Sequence, residues 1–353
     1  MVKNRLVFIC ALLTLLSAGC GDYESISNYD LPYENQIDRD LKPFQSQRIT
    51  IQQVREAYQS HPDTRVHIKI YGSSVKARSL SPAKDRIHVV VQLVRQAINR
   101  FGPLGRIEFV YNLLDEPQIS VNGPLFPIFS FSASPEYADI VFPMIAGGEF
   151  LRMDSVLSDI KSQSVPFNEK KDRLVWRGSQ TGGVYEEANW RDFPRSRLVL
   201  FSSEKPDLCD AGFTSYTQVS KRAKEQIENT VGLKRPMSLA NMQAYRYIAS
   251  LDGNVWPDRF PQLLATNSLI FKERSRFYSF FDLALGENVH YLSLDSDMSN
   301  LESQILWAKA NPDKVVEIIG NANFFARDYL KQSAVEAYVY KLLLGYSAVV
   351  HWD

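Results

Sequence analysis

The sequence predicts an α/β protein built around a mainly parallel β-sheet. Strand-like apolar segments alternate with amphipathic helical segments in the second half of the chain, and the links between them are short, which is typical of a parallel sheet with helices on both faces. The length of 353 residues is sufficient for two domains, and 45% hydrophobic and 23% charged residues are ordinary values for a globular protein. Because ligands of such sheets bind beyond the carboxyl ends of the strands, we expect the functional residues in the loops that follow the strands.

The first 20 residues have the pattern of an export signal. Lys3 and Arg5 precede an apolar run at 6–18, which is shorter than the roughly 20 residues that cross a membrane. The next residues, Gly19-Cys20, resemble a bacterial lipobox in which Cys20 is lipidated, although a plain cleaved signal and an uncleaved anchor fit the same residues. We therefore predict a signal peptide or lipoprotein signal at 1–19, and an exported or membrane-anchored protein of the bacterial cell envelope.

The first half of the chain contains a polar segment, two helices and three strands. Residues 20–45 are rich in Asp, Tyr, Asn and Pro and have no periodicity, so they are predicted as a linker. A helix is expected at 51–59, and Ser81-Pro82 starts a second helix, which apolar residues at helical spacing extend to Phe101. Strands are predicted at 106–112, 127–132 and 139–142.

The second half alternates strands and helices more regularly. Strands are predicted at 174–177, 245–251, 269–272 and 289–294. Helices are predicted at 195–203, 260–266, 299–310, 312–330 and 335–349. This half is therefore expected to form one sheet followed by closing helices.

Composition argues against several classes of function. Lys+Arg and Asp+Glu both number 40, so the chain has no basic excess of the kind that binds nucleic acid. Three cysteines permit no disulfide framework, and Cys209 is interpreted as a passive thiol. The five histidines form no metal-spaced pair, and His290 is interpreted as structural. Asp295-Ser296-Asp297 resembles an Asp-x-Asp metal motif, but a turn in which Asp297 or Ser299 caps the next helix is favoured, so no metal or other cofactor is expected.

A loop that follows the strand at 174–177 carries residues suited to a phosphate group. Arg177-Gly178-Ser179 begins a loop rich in Gly, Ser and Thr, which leads to a helix that starts near Arg195. Glycines allow the backbone to approach a ligand closely, and hydroxyl groups and arginines bind phosphate oxygens. The alternative is a generic strand–helix loop, since neither a Walker motif nor a dinucleotide fingerprint is present.

A second loop, at 252–261, also lies between a predicted strand and a predicted helix. It contains Arg259, and a cation and the free amides of a helix start attract the same anion. The alternative is an ion pair between Arg259 and Asp252 or Asp258.

Asp115 follows a strand in the first half of the chain. A single carboxylate at the end of a strand is usually a turn former, and less often a catalytic group. The residues alone leave both interpretations open.

Together these segments resemble the Rumi-like protein O-glucosyltransferases, the capsule-associated xylosyltransferases and the lipopolysaccharide-modifying enzymes of glycosyltransferase family 90. The resemblance covers roughly residues 105–346 and depends on the order and spacing of many short blocks. In the first half these blocks are Asn112-Leu-Leu-Asp115-Glu-Pro117, Phe126-Pro-Ile-Phe-Ser-Phe-Ser132 and Tyr137-Ala-Asp-Ile140. In the second half they are Trp176-Arg-Gly-Ser179, Tyr245-Arg-Tyr-Ile248, Asp252-Gly253, Arg259-Phe260, Val289-His-Tyr-Leu292 and Phe325-Ala-Arg327.

The resemblance implies a GT-B type of α/β fold, with two Rossmann-like domains facing a cleft, and C-terminal helices. An N-terminal, acceptor-side domain that carries the catalytic Asp is expected at 46–160. A C-terminal domain that binds the nucleotide sugar and includes the closing helices is expected at 161–353.

The resemblance also assigns roles to residues. Asp115 takes the role of the general base, and the residues that take the role of nucleotide-sugar ligands are Arg177, Gly178, Ser179, Arg195 and Arg259. Ser179 and the arginines at 195 and 259 would bind the diphosphate. An insertion around 180–190 leaves the position of the helix arginine open, so Arg191 or Arg197 could replace Arg195.

The predicted function is an inverting, metal-independent transfer of a glucose- or xylose-type sugar from a UDP-sugar to a hydroxyl of a glycan, lipopolysaccharide or protein. One alternative is a catalytically inactive, glycan-binding envelope lipoprotein of the same fold, because bacterial nucleotide sugars are cytosolic and an exported enzyme would lack its donor. A second alternative is a phosphate-anchored binding module such as a sugar-phosphate receptor, which would have no need of Asp115.

Overall fold

The computed structural model describes residues 23–352 apart from positions 46, 48 and 146. The predicted signal at 1–19 and the predicted lipidation site, Cys20, lie outside these residues. The described chain forms two α/β domains, each built on a five-stranded sheet. None of the described helices is long and apolar enough to cross a membrane.

The N-terminal domain has a mixed sheet. Its elements are, in chain order, α1 (Asn35–Gln45), β1 (Ile49–Thr50), α2 (Ile51–Gln59), β2 (Arg65–Gly72), β3 (Ser74–Arg78), α3 (Lys84–Phe101), β4 (Leu104–Asn112), β5 (Ile128–Ser130), β6 (Ile140–Val141) and α4 (Met153–Ser162). The strand order is β3-β2-β4-β5-β6. The three strands predicted in this half correspond to β4, β5 and β6, which pair in parallel. Strand β2 runs antiparallel to both its neighbours, and the β2–β3 hairpin was not predicted.

The C-terminal domain has an entirely parallel sheet. Its elements are β7 (Lys171–Gly178), α5 (Pro194–Glu204), β8 (Cys209–Phe213), α6 (Lys221–Thr230), α7 (Leu239–Met242), β9 (Tyr245–Ser250), α8 (Phe260–Leu263), β10 (Leu269–Glu273), β11 (Leu292–Leu294), α9 (Leu301–Ala310) and α10 (Pro312–Tyr329). The strand order is β11-β10-β9-β7-β8, and every neighbouring pair is parallel. The predicted α/β class and the parallel sheet are confirmed here, while β8 and α6 were not predicted.

The last helix does not belong to the domain to which the sequence assigned it. Helix α11 (Gln332–Val349) returns to the N-terminal domain and packs on α3 and α1, and β12 (Val350–His351) pairs in parallel with β1. The hydroxyl of Tyr346 donates to the carbonyl of Glu108 on β4 at 3.2 Å. The predicted extent of the C-terminal domain, 161–353, is therefore wrong at its end, because the apolar face of α11 is buried against the N-terminal core.

The predicted linker is also part of the N-terminal core. Residues 35–45 form α1, and Tyr33 and Phe44 are fully buried. Asp40 on this helix accepts a hydrogen bond from the amide of Val141 at 2.8 Å. The prediction of a linker over 20–45 is thus wrong for most of the described part, because the apolar side chains among the polar residues lie on one buried helix face.

The two domains meet where the carboxyl ends of their strands face each other. Ala133, after β5, and Tyr278, after β10, exchange two backbone hydrogen bonds of 3.0 and 2.9 Å. Beside them the hydroxyl of Ser279 donates to the carbonyl of Phe131 at 3.3 Å. The loops after β4, β7 and β9 open towards the same interdomain cleft, as the following contacts show.

Candidate active site

Asp115 lies in the turn after β4, at the carboxyl edge of the N-terminal sheet. Asn112, the last residue of β4, shapes the turn, since its Oδ1 accepts from the amide of Leu114 at 3.0 Å and its Nδ2 donates to the carbonyl of Glu116 at 2.8 Å. These bonds fix the backbone on both sides of Asp115. The Asp115 side chain remains 32% exposed, so a ligand in the cleft can reach it.

Both carboxylate oxygens of Asp115 have hydrogen-bond donors. Arg86 Nη2 lies 2.6 Å from Oδ1, and the same guanidinium donates to the carbonyl of Leu113 at 2.7 Å. Asn254 Nδ2 donates to Oδ2 at 3.1 Å from the opposite domain. Burial acts to raise the pKa of Asp115, but the hydrogen bonds from Arg86 and Asn254 and the charge of Arg86 outweigh it, so this pKa lies below its ordinary value. Asp115 is therefore a carboxylate at neutral pH.

On the other side of the cleft, the loops after β7 and β9 approach each other closely. Gly182 has φ +99°, and a Cβ there would lie 2.8 Å from the carbonyl oxygen of Gly253. A Cβ at Gly178 would lie 2.5 Å from the ring of Trp176. The approach of the two loops therefore requires glycine at 182, and the ring of Trp176 on the same strand requires it at 178, whether or not a ligand is bound.

Arg195 joins these two loops. It lies in the first turn of α5, where Nε donates to the carbonyl of Asp252 at 2.7 Å, Nη1 to that of Ser179 at 2.8 Å and Nη2 to that of Leu251 at 3.3 Å. Burial lowers the pKa of Arg195 to about 10, which leaves it charged at neutral pH. Three of its five N–H groups hold backbone carbonyls, so two remain for a ligand. Its role as a diphosphate ligand stays a prediction.

Arg259 lies at the same edge, immediately before the short helix α8. Its Nη1 donates to the carbonyl of Arg177 at 2.8 Å, so the ion pair with Asp252 or Asp258 that the sequence left open is not the contact that holds this side chain. Burial lowers the pKa of Arg259, and the charge of Asp258 opposes that change. Its other N–H groups can bind an anion at the end of β7.

Arg177 turns its side chain to a neighbouring strand. Its Nη2 pairs with Asp210 Oδ1 on β8 at 2.9 Å, and its Nη1 donates to the carbonyl of Asp210 at 2.6 Å. Asp210 also binds Lys234 and the hydroxyl of Tyr245, each at 2.8 Å. Arg177 contacts Arg259 only through its backbone carbonyl. That the Arg177 side chain binds the nucleotide sugar directly stays a prediction.

Asn254 connects the two halves of the site and was not singled out from the sequence. While its Nδ2 binds Asp115, its Oδ1 accepts from the amide of Gly182 at 3.2 Å. Arg86 was also missed. The partners of Asp115 lie 29 and 139 residues away in the chain, so no local pattern could have identified them.

Two carboxyl groups lie beside Arg195: the half-buried Asp252, to which the sequence assigned only a possible ion pair with Arg259, and the buried Glu273, which was missed. Asp252, after β9, donates its amide to Glu273 Oε2 at 3.0 Å and accepts from the hydroxyl of Ser275. Burial raises the pKa of both carboxyl groups, and the charge of Asp252 raises that of Glu273 further. These groups could donate or accept hydrogen bonds with a sugar at the donor side.

Two buried polar side chains near Ser179 lack a hydrogen-bond partner among the described residues. Gln180 and Ser196 are fully buried, and neither the Gln180 amide atoms nor Ser196 Oγ have a partner there. Buried polar groups are normally satisfied, so such groups at a loop and at the start of α5 suit a site that receives a polar ligand.

The Asp-x-Asp segment forms a turn. Asp295 pairs with Arg274, and Asp297 Oδ1 accepts from the amide of Ser299 at 2.9 Å. Helix α9 begins only at Leu301, so the prediction that Asp297 or Ser299 caps it is wrong. Within residues 23–352, leaving aside the three undescribed positions, no group of three or more His, Cys, Asp or Glu side chains could hold a metal ion.

His290 and Cys209 have structural surroundings, as the sequence indicated. His290 Nδ1 accepts from the amide of Gly286 at 3.0 Å. Cys209 is buried on β8, and burial raises the pKa of its thiol to about 12, which keeps it protonated and unreactive.

Two human proteins are similar in sequence to most of this chain. Human protein O-glucosyltransferase 3 is 30% identical over 333 residues, which cover 89% of this chain and 61% of that protein. Human protein O-glucosyltransferase 1 is 26% identical over 353 residues, covering 94% of this chain and 84% of that protein. The chain thus spans less than two thirds of the length of the first relative. The structure of HepE of Anabaena in complex with UDP-glucose aligns over 52% of this chain and 50% of its own chain. The TM-score is 0.35 and the sequence identity is 11%.

The family itself is established by a match along nearly the whole described chain. The sequence model of glycosyl transferase family 90 matches residues 30–353, a range that includes Asp115, the loops after β7 and β9, and helix α11. The chain therefore belongs to glycosyl transferase family 90.

Proposed function

We propose that this protein transfers a glucose- or xylose-type sugar from a UDP-sugar to a hydroxyl of a glycan, lipopolysaccharide or protein acceptor, with inversion and without a metal. The observation that carries the proposal is an ionised Asp115 that touches the donor-side loop across the cleft through Asn254. The choice of uridine and of the sugar class rests on the family resemblance.

In the proposed reaction Asp115 is the base. The acceptor hydroxyl attacks the anomeric carbon from the side opposite the diphosphate, the bond to the diphosphate breaks, and the hydroxyl proton passes to the Asp115 carboxylate. Its lowered pKa keeps Asp115 in the basic form throughout the neutral range. Arg86 and Asn254 each occupy one lone pair of the carboxylate, which leaves lone pairs to accept the proton.

The leaving diphosphate is proposed to bind at the end of β7. Negative charge grows on the diphosphate as the bond to the sugar breaks, and positive groups already held in place stabilise it most. Arg259, with one N–H on the carbonyl of Arg177, has the larger number of free donors. Arg195 mainly holds the loops of Ser179 and Asp252 in position and adds its charge, so a metal is not needed for this step.

Two variants test the proposal. Asp115→Asn should bind UDP as the wild type does but transfer sugar at least about a hundredfold more slowly, which is the usual effect of losing a general base. Arg259→Ala should weaken UDP binding by about tenfold or more, because a charge-assisted hydrogen bond is lost. Calorimetry measures UDP binding, and released UDP measures transfer with and without an added acceptor mixture.

Arg191→Ala is the matched control. The sequence left Arg191 open as a replacement for Arg195, but Arg195 is the arginine that contacts Ser179 and Asp252. Arg191 is exposed and stacks on Trp190, with its guanidinium carbon 4.2 Å from the ring centroid, so its loss should change neither measurement. Normal turnover of Asp115→Asn would refute the role of Asp115. UDP binding without any transfer in the wild type would instead favour the non-catalytic, glycan-binding alternative.

A further inference from the structure

A basic pocket lies on the N-terminal domain, outside the interdomain cleft. Its volume is about 180 Å³, and it is lined by Arg55, Tyr58, Gln59, His67, Lys69 and Arg78. Helix α2 supplies the first three of these residues, and the β2–β3 hairpin supplies the others. We propose that this pocket binds a phosphate-type oxyanion, as a second anion site separate from the donor site.

The first argument is the excess of positive charge. Glu108 on β4 is the carboxylate beneath the pocket, and it is 4% exposed. Arg55 binds it with Nε and Nη2 at 3.1 and 3.0 Å, and Lys69 Nζ lies 3.3 Å away. Arg78 lines the same pocket and is exposed. Three permanent cations, those of Arg55, Lys69 and Arg78, thus line the pocket, and Arg106 Nη2 lies 3.7 Å from Glu108 Oε1, in a chain whose total charge is zero.

The second argument is the strand register. In the antiparallel β2–β3 hairpin, Lys69 lies directly opposite Lys76, and His67 lies directly opposite Arg78. Lys69 and Lys76 are like charges at directly opposed positions of two strands, and such a pair destabilises the hairpin. Burial lowers the pKa of His67, so the imidazole opposite Arg78 is neutral. Lysine on an edge strand such as β3 often prevents pairing with another chain. Protection of the edge does not, however, explain why cations surround a concave pocket. A bound dianion would relieve the repulsion between these cations.

The position suits a group carried by a larger molecule. Glu108 and Asn112 lie four residues apart on β4, about 14 Å along an extended strand, and Asp115 follows in the turn. A ligand with a phosphate some distance from its reacting hydroxyl could therefore occupy both places. The phosphate could belong to a soluble phosphorylated glycan or to a phospholipid headgroup.

Calorimetry with inorganic phosphate at low ionic strength tests the site on the full chain, with UDP present in saturating amount to fill the donor site. We expect phosphate to bind, and Arg78→Ala and Lys69→Ala each to weaken binding by about tenfold, the usual effect of losing one charge-assisted contact. Both residues are exposed, so the variants should fold, and their melting curves check this. Lys161→Ala removes one exposed positive charge elsewhere and should change binding less than about twofold.

Two further arms identify the source of the phosphate. Competition by glucose 6-phosphate reports a soluble ligand. Sedimentation with phosphatidylcholine vesicles, with and without phosphatidylglycerol, tests for a lipid headgroup. The readout is the difference in the bound fraction between the wild type and Arg78→Ala. Binding in either arm supports the site. Absence of phosphate binding by the wild type, or an equal loss in Lys161→Ala, would overturn it. Sugar transfer is not measured, so these outcomes do not depend on the proposed reaction.

Discussion

At the scale of single residues, the site depends on side chains that support Asp115 rather than on Asp115 alone. Arg86 holds one oxygen from its own domain, and Asn254 holds the other from the opposite domain. Asn254 also accepts a hydrogen bond from the amide of Gly182 in the loop after β7. A movement of that loop would therefore change the hydrogen bond between Asn254 and the Asp115 carboxylate. Asn254 is therefore a positioning residue for the proposed base.

Substitution of Asn254 should shift the pH dependence of transfer. Asn254→Ala removes a hydrogen bond that stabilises the carboxylate, so the pKa of Asp115 rises and the acid limb of the kcat/KM profile moves to higher pH. Asn254→Asp keeps an acceptor for Gly182 but places a like charge beside Asp115, and should move the limb further. An acid limb that stays in place in both variants would contradict this coupling.

At the scale of elements, helix α1 contains an acid group that the fold keeps protonated. Burial raises the pKa of Asp40 to about 8, against the hydrogen bonds from Val141 and Gln36 that favour the charged form. In the unfolded chain this carboxyl group loses its proton near its ordinary pKa of 3.8. Between about pH 4 and pH 8 the folded state thus holds one proton more than the unfolded state, and stability falls as the pH rises.

Asp40→Asn should remove this dependence. A full proton difference corresponds to a slope of about 1.4 kcal/mol per pH unit, and the neutral amide cannot titrate. Gln36 Oε1 has no hydrogen-bond partner in the part of the chain that the structure describes and can accept from the new amide after a flip, so folding should survive. Urea denaturation from pH 5 to pH 8 measures the slope. Asp38→Asn, on the exposed face of the same helix, is the control and should keep the wild-type slope.

At the scale of the whole molecule, helix α11 connects the end of the chain to its beginning. Arg100 on α3 pairs with Glu336 on α11, and Ile49 on β1 pairs with Val350 on β12. The C-terminal domain is therefore inserted between two parts of the N-terminal core. We expect that a destabilising substitution in α11 lowers the stability of the N-terminal domain before that of the C-terminal domain.

Leu342→Ala tests this connection. Leu342 is fully buried on α11, and truncating a buried leucine costs about 2–5 kcal/mol. Hydrogen exchange should then accelerate in α3 and β4 while β7 and β9 stay protected. Leu344→Ala, which is 41% exposed on the same helix, should change stability by less than about 0.5 kcal/mol. Faster exchange confined to the C-terminal sheet would show that α11 stabilises the other domain.

Much of the fold could be predicted from local patterns. Helix α2 has the predicted bounds, and α5, β7 and β9 differ from prediction by three residues or fewer at each end. These segments carry their own periodicity and their own stop signals. Apolar and polar residues alternate from Val66 to Ile70, a pattern that indicates the first strand of the β2–β3 hairpin.

Local sequence patterns were sufficient to predict the α/β class, the order of most elements and the loops that carry the candidate site residues, because periodicity and loop chemistry are properties of neighbouring residues. The packing of α11 on the N-terminal domain is visible only in the folded chain, since an apolar helix face indicates burial but not the partner that buries it. The same reason applies to the site: a carboxylate at a strand end is visible in the sequence, whereas Asn254 meets Asp115 only when two domains face each other.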